Sequence, residues 1–95
     1  MTTMPDLIKK FSKAADKISS NKNQMKKCVY GVYRDYLSDI TPEDLPDEIQ
    51  PIFDALINRL TSADPPGDIG IDEAGYLAKD ILYMADVLKA NNRPS

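Results

Sequence analysis

Apolar residues along most of this chain return every three or four positions, which is the spacing of one face of an α-helix. The first such segment covers about residues 5–19, and after the polar stretch SSNKN a second covers about 23–39. Two more segments cover about 48–62 and 73–90, and none alternates with a period of two. The pattern therefore predicts an all-α fold, a single helical domain over 1–95 that forms an antiparallel four-helix bundle.

The predicted core consists of the residues that share the apolar face of each segment. They are Leu7, Ile8, Phe11, Ala14, Ala15 and Ile18, then Met25, Cys28, Val29, Val32, Tyr36 and Ile40, then Ile49, Ile52, Phe53, Leu56, Ile57 and Leu60, and finally Ala74, Leu77, Ala78, Ile81, Met84, Ala85 and Leu88. Tyr30, Tyr33 and Leu37 widen the apolar face of the second helix. That helix is therefore either the most enclosed one or a homodimer contact.

Turn chemistry predicts where the helices begin and end. Thr41 followed by Pro42 is typical of an N-cap and a first helical residue. Pro46 and Pro51 exclude one continuous helix here, because an interior proline removes a hydrogen bond. We therefore expect a short turn at 42–45. Asp72 is the predicted N-cap of the last helix, and Asn91, Asn92 and Pro94 are its predicted stop signals.

Composition places the chain among folded globular proteins. It has 95 residues, of which 42% are hydrophobic and 28% charged, enough for one modest core. Cys28 is the single cysteine, so no internal disulfide forms, which favours a reducing compartment. No apolar run has the length of a signal peptide or a membrane span, and we expect no membrane partner. The expected location is the cytoplasm.

Charge is distributed unevenly along the sequence. Residues 1–36 carry eight Lys or Arg against three Asp, a net charge of +5. Residues 37–95 carry four against twelve Asp or Glu, a net charge of −8, which together gives −3. The two halves therefore suit partners of opposite sign.

The stretch SADPPGDIGIDEAG, between the last two helices, contains four carboxylates and raises the question of a calcium loop. Counted as an EF-hand from Asp64, the third position is Pro66 and the obligatory glycine position is Ile69. The closing acidic position is Gly75. The positions that create calcium geometry do not match, so we predict no metal site here.

Features of an enzyme are missing from the sequence. The chain has no histidine, no phosphate-binding glycine loop and no dinucleotide fingerprint. Asp72 and Glu73 diverge by about 100° as helix neighbours and do not converge on one substrate atom. Cys28 lies on the predicted core face, where a small buried hydrophobe is the expected role. We predict no enzyme, no catalytic residues and no cofactor.

Seven lysines in the first third of the chain form a basic surface that suits the phosphate groups of a nucleic acid. They are Lys9, Lys10, Lys13, Lys17, Lys22, Lys26 and Lys27. Lysines opposite an apolar stripe usually form a solvated face, and the chain has no nucleic-acid motif and a net negative charge. Weak nucleic-acid binding through the first helix is therefore kept as the third hypothesis.

The last helix has an unusual outward side. Opposite its core positions runs a second stripe in which tyrosines stand among acids, a composition familiar from protein interfaces. The predicted partner-binding residues are Asp68, Asp72, Glu73, Tyr76, Asp80 and Tyr83, with Val87 at the end of the stripe. The alternative is that both rings pack against the 61–71 or 41–47 connections.

The segments DPPGDIGIDEAG and YLAKDILYMADVLK, about a third of the chain, resemble small helical bacterial toxin-immunity proteins of the colicin D immunity type. The resemblance implies four helices and an acidic surface that occludes a basic nuclease toxin; the lysine-rich first helix departs from that pattern. The function it predicts is a small acidic cytoplasmic protein-binding module, an immunity protein or antitoxin. The alternative is a self-associating adaptor, secretion chaperone or regulatory subunit, with a homodimer through the second helix.

Overall fold

Helices account for most of the chain in the computed structural model, which describes residues 4–63 and 68–91, and Lys22 only as backbone. The four α-helices are α1 (Met4–Ser20), α2 (Met25–Val32), α3 (Gln50–Ser62) and α4 (Ile71–Asn91). Within these ranges there is no strand, so the all-α prediction is confirmed. The predicted roles of Asp64, Asn92 and Pro94 lie outside the described residues.

The region of the second predicted helix consists of a 3₁₀ turn, the α-helix α2 and a π-helical turn. A 3₁₀ turn (Lys22–Gln24) precedes α2, and a π-helical turn (Tyr33–Leu37) follows it, so the prediction of one regular helix over 23–39 is corrected. A π-helix places one extra residue in the turn and shifts the faces of the helix by one position. Leu37 is consequently fully buried, whereas Tyr36, which the regular period places on the core face, is half-buried.

The proline-rich connection contains the short turn that the sequence predicts. A 3₁₀ turn covers Pro42–Asp44, and the Asp44 carboxylate accepts hydrogen bonds from the Thr41 backbone N–H at 3.2 Å and the Thr41 hydroxyl at 3.1 Å. Helix α3 begins at Gln50, two residues later than predicted, and Pro51 occupies its first turn. A proline is tolerated there because the first N–H groups of a helix have no intrahelical acceptor.

The start of α4 lies two residues earlier than predicted. The first intrahelical hydrogen bond runs from the Ala74 N–H to the Gly70 carbonyl at 2.9 Å, so Gly70 precedes the helix and Ile71 is its first residue. The prediction that Asp72 is the N-cap is therefore wrong. As the second helical residue, Asp72 still places its carboxylate at the positive end of the helix dipole.

Helix α4 contacts each of the other three helices, while α1 also packs against α2. All seven predicted core residues of α4 are buried, and Phe11 of α1 meets Phe53 of α3 edge to face with ring centroids 6.1 Å apart. Ile8, Ala15, Met25, Cys28, Ile52 and Ile57, which were also predicted to lie in the core, are half-buried at its margin. No polar side chain is buried in the described part of the chain.

The length and hydropathy of the described helices bear on membrane insertion. None of those that the structure describes is long and apolar enough to cross a membrane.

Replacement of Phe53 by Ala should destabilise the protein by about 3–5 kcal/mol, because the ring is fully buried and its loss leaves a cavity beside Phe11. Urea denaturation followed by circular dichroism measures the change. The control is Tyr76→Ala, which removes an exposed ring and should shift stability by only about 0.5 kcal/mol. Equal stability of the two variants would contradict the core described here.

Candidate protein-docking site

The largest exposed apolar side chains of the described residues all belong to α4. Ile71 is 77% exposed, Tyr76 is 67% exposed and Tyr83 is 52% exposed. The two tyrosines therefore point away from the core, as their spacing predicted, rather than packing beneath a connection. Ile71 was not singled out in the sequence, although its position just outside the arc of core residues was a signal for it.

The exposed residues of α4 form a regular surface. Asp72, Tyr76, Lys79, Tyr83 and Asp86 are separated by alternating steps of four and three residues and lie within about 80° of one another around the helix. These five residues are called the α4 face below. Lys79 and Asp86 were missed because the sequence argument followed tyrosines and nearby acids, whereas a full helical projection includes them. The α4 face carries two carboxylates and one ammonium.

Two predicted site residues lie at the edge of the α4 face rather than on it. Glu73 turns towards α3, where its carboxylate accepts a hydrogen bond from the Arg59 guanidinium at 3.0 Å. Asp80 is half-buried, and burial raises the pKa of its carboxyl group above the ordinary value of 3.8. It forms no ion pair with a described residue. Asp80 therefore adds negative charge beside the face, while the charge of Glu73 is largely matched.

Asp68 lies before α4 and interacts with a different helix. Its carboxylate accepts a hydrogen bond from the Lys26 ammonium of α2 at 3.1 Å. Both side chains are about half exposed, at 53% and 43%, so the pair is a surface ion pair and contributes little stability. Of the six predicted residues, the structure brings Asp72, Tyr76 and Tyr83 together on one face.

A shallow notch indents one side of this surface. It is lined by Ile71, Asp72, Gly75, Tyr76 and Lys79 and has a volume of about 260 Å³. A Cβ atom built on Gly75 meets no heavy atom within 4 Å apart from its chain neighbours and its own helix backbone. The notch exists because glycine leaves this position of the helix surface empty.

The thiol of Cys28 lies elsewhere, where α1 and α2 meet. It is half-buried rather than buried, and it donates a hydrogen bond to the Lys17 carbonyl oxygen at 3.4 Å. Burial raises the thiol pKa above 9.0, and the positive charge of Lys17 partly opposes that change. These are the surroundings of an unreactive thiol.

The described residues contain no group of three or more His, Cys, Asp or Glu side chains placed to hold a metal ion. Comparison of the chain with protein-family models, curated proteins and solved structures finds no match. The site is therefore interpreted from its own geometry.

Asp80→Asn should raise the melting temperature at pH 7, because the folded state favours the neutral carboxyl that asparagine imitates. A carboxyl whose pKa is higher in the folded state than in the unfolded state stabilises the protein fully below the unfolded pKa. That stabilisation is lost as the pH rises through the pKa of the folded state. The gain should therefore shrink as pH falls towards 3.8 and below. Asp86→Asn is the control for removal of an exposed charge, and a gain that persists undiminished in acid would contradict the assigned cause.

Cys28 should react with iodoacetamide more slowly in the folded protein than in the denatured chain, with the midpoint of its pH–rate profile displaced upwards. Lys17→Ala should displace the midpoint further, because the ammonium that favours the thiolate is removed while the backbone carbonyl stays. A midpoint at or below that of the denatured chain would show that the surroundings of the thiol are wrongly described.

Proposed function

We propose that the protein is a protein-binding module that docks its partner on the α4 face. The observation that carries this proposal is the exposure of Tyr76 and Tyr83 on one side of a helix whose opposite side is committed to the core. Outward helix positions normally carry charged or polar residues. Tyrosine supplies a large rigid area with a polar tip, and it is enriched among the residues that dominate binding energy.

The charge of this surface favours a basic partner. Asp72 and Asp86 on the face and Asp80 at its edge outnumber Lys79, and none of these carboxylates forms an ion pair with a described residue. A field of this sign steers a basic protein into contact and raises the association rate. In its specific form the proposal is an immunity protein or antitoxin that covers the cleft of a basic nuclease toxin and excludes its substrate.

Two further parts of the proposal concern the arrangement of the helices and the location of the protein in the cell. The four helices are taken as an antiparallel bundle, in support of which α4 contacts each of the other three. The proposed location is the cytoplasm, which suits a chain whose single cysteine is free.

The α4 face is preferred to α2 as the working surface. Tyr30 and Tyr33 are half-buried, with ring centroids 6.4 Å apart, and they offer a homodimer less open aromatic area than α4 does. Sedimentation at micromolar concentration separates the two hypotheses, because an adaptor that self-associates through α2 is a tight dimer and the proposed inhibitor is a monomer.

Tyr83→Ala should weaken partner binding by about 2 kcal/mol, roughly thirtyfold, and Asp86→Lys should weaken it by slowing association. The partner is first captured from extracts of the source cells and identified, and the purified pair is then titrated by calorimetry. The matched control is Asp54→Lys, which makes the same change of charge at an exposed position on α3. Melting temperatures establish that all variants fold.

Wild-type affinity in both α4 variants would move the docking site away from α4. A partner without a basic surface would contradict the assigned chemistry. Equal loss in Asp54→Lys and Asp86→Lys would show that only overall charge matters.

A further inference from the structure

Gly75 is half-buried in α4, and no contact with another described element accounts for a glycine at this position. Glycine is among the least favourable residues in a helix, because it loses the most backbone freedom on folding. Interior glycines usually allow a close approach of another element, yet apart from the chain neighbours of Gly75 and its own helix backbone, no described atom lies within 4 Å of the place where a Cβ would be. The gap is therefore open to another molecule.

The lining of the gap indicates what fits it. Ile71 and the ring of Tyr76 supply apolar surface, while Asp72 and Lys79 carry opposite charges, so the notch has no net charge. Its volume of about 260 Å³ is below the roughly 300–1,000 Å³ of small-molecule sites. One apolar side chain matches both the size and the chemistry.

The surroundings of the notch determine which molecule carries that side chain. Asp86 lies on the same side of α4 as Gly75, about three turns further along, and it forms no ion pair with a described residue. A cationic group carried further along the same partner segment would meet this carboxylate. The complementary occupant is a segment in which apolar and basic residues alternate along one helix face.

We propose that Gly75 is a specificity-determining residue: it forms the floor of a notch, walled by Ile71 and Tyr76, that seats one apolar side chain from a basic helical segment of the partner protein. This inference rests on the proposed function, since it adds an anchor at the edge of the α4 face. The absent Cβ lets the partner side chain reach the helix surface, and a larger residue at this position excludes it. Desolvated anchors of this kind dominate the energetics of protein interfaces.

The probe for the test is a synthetic amphipathic helical peptide of leucine and lysine, labelled with fluorescein, with a scrambled peptide of the same composition as its control. Fluorescence anisotropy at low ionic strength measures the affinity of the wild type, Gly75→Leu, Gly75→Ala, Tyr83→Ala and Gly31→Ala. Gly31→Ala is the matched control, because Gly31 is also helical and a Cβ there likewise meets nothing within 4 Å. Thermal melts confirm that each variant folds.

The expected result is at least a tenfold loss for Gly75→Leu, a smaller loss for Gly75→Ala and no change for Gly31→Ala. In amide NMR spectra of the wild type, the Gly75 resonance should move on titration while that of Gly31 stays in place. Gly75→Leu and Gly75→Ala should melt no lower than the wild type, so that the loss of binding reflects the filled notch.

Wild-type affinity in Gly75→Leu together with weakened binding by Tyr83→Ala would overturn the notch and leave the α4 face as the docking site. Unchanged affinity in both would overturn the notch and the proposed function together. Equal binding of the ordered and scrambled peptides, or no binding of either, would contradict the basic amphipathic segment named as the occupant.

Discussion

The structure depends on the burial of one apolar stripe of α4 against three other helices. Each of α1, α2 and α3 contacts this stripe, whose members include Leu77, Ile81 and Leu88. One side of α4 packs against three neighbouring helices. Rotation of α4 about its own axis would expose buried apolar area, at a cost of about 25 cal/mol for each Å². The orientation of the remaining surface, with its two tyrosines, is therefore fixed by the core.

That constraint gives α4 two distinct sides. Its inner side completes the hydrophobic core, and its outer side presents Tyr76 and Tyr83 on a rigid support. A rigid anchor loses little conformational freedom when a partner binds, so more of the contact energy appears as affinity. The ion pairs from Arg59 to Glu73 and from Lys26 to Asp68 flank the start of the same helix. Being exposed, they contribute mainly to the charge pattern of the surface.

Much of the fold could be predicted from the sequence, because period and turn chemistry are local properties. The seven core residues of α4 follow directly from its 3.6-residue repeat, and Thr41 with Pro42 predicted the short turn. The π turn after α2 was not predictable in this way. It buries Leu37 rather than Tyr36, and which of the two is buried depends on how the tyrosine ring packs against the core in three dimensions. Gly70, and not Asp72, precedes the first turn of α4. Local preference does not separate the two, because glycine and aspartate are both acceptable N-cap residues.

The candidate site was predicted in part. Exposure of Tyr76 and Tyr83 follows from their angular distance from the core, and sequence spacing carries that information. The pairing of Glu73 and Asp68 with cations does not follow from sequence, because Arg59 and Lys26 come from other helices. Gly75 was considered in the sequence only as a failed calcium-loop position, and its open surface became visible only with the surrounding side chains in place.

The most direct measurement of the central claim is photochemically induced nuclear polarisation of the tyrosine rings, which enhances the signals of rings that a dissolved dye can reach. In the free protein, Tyr76 and Tyr83 should give strong signals and the half-buried Tyr30 and Tyr33 weaker ones, and the partner should suppress the α4 signals selectively. Silent Tyr76 and Tyr83 rings in the free protein, or signals that persist unchanged in the complex, would contradict the account.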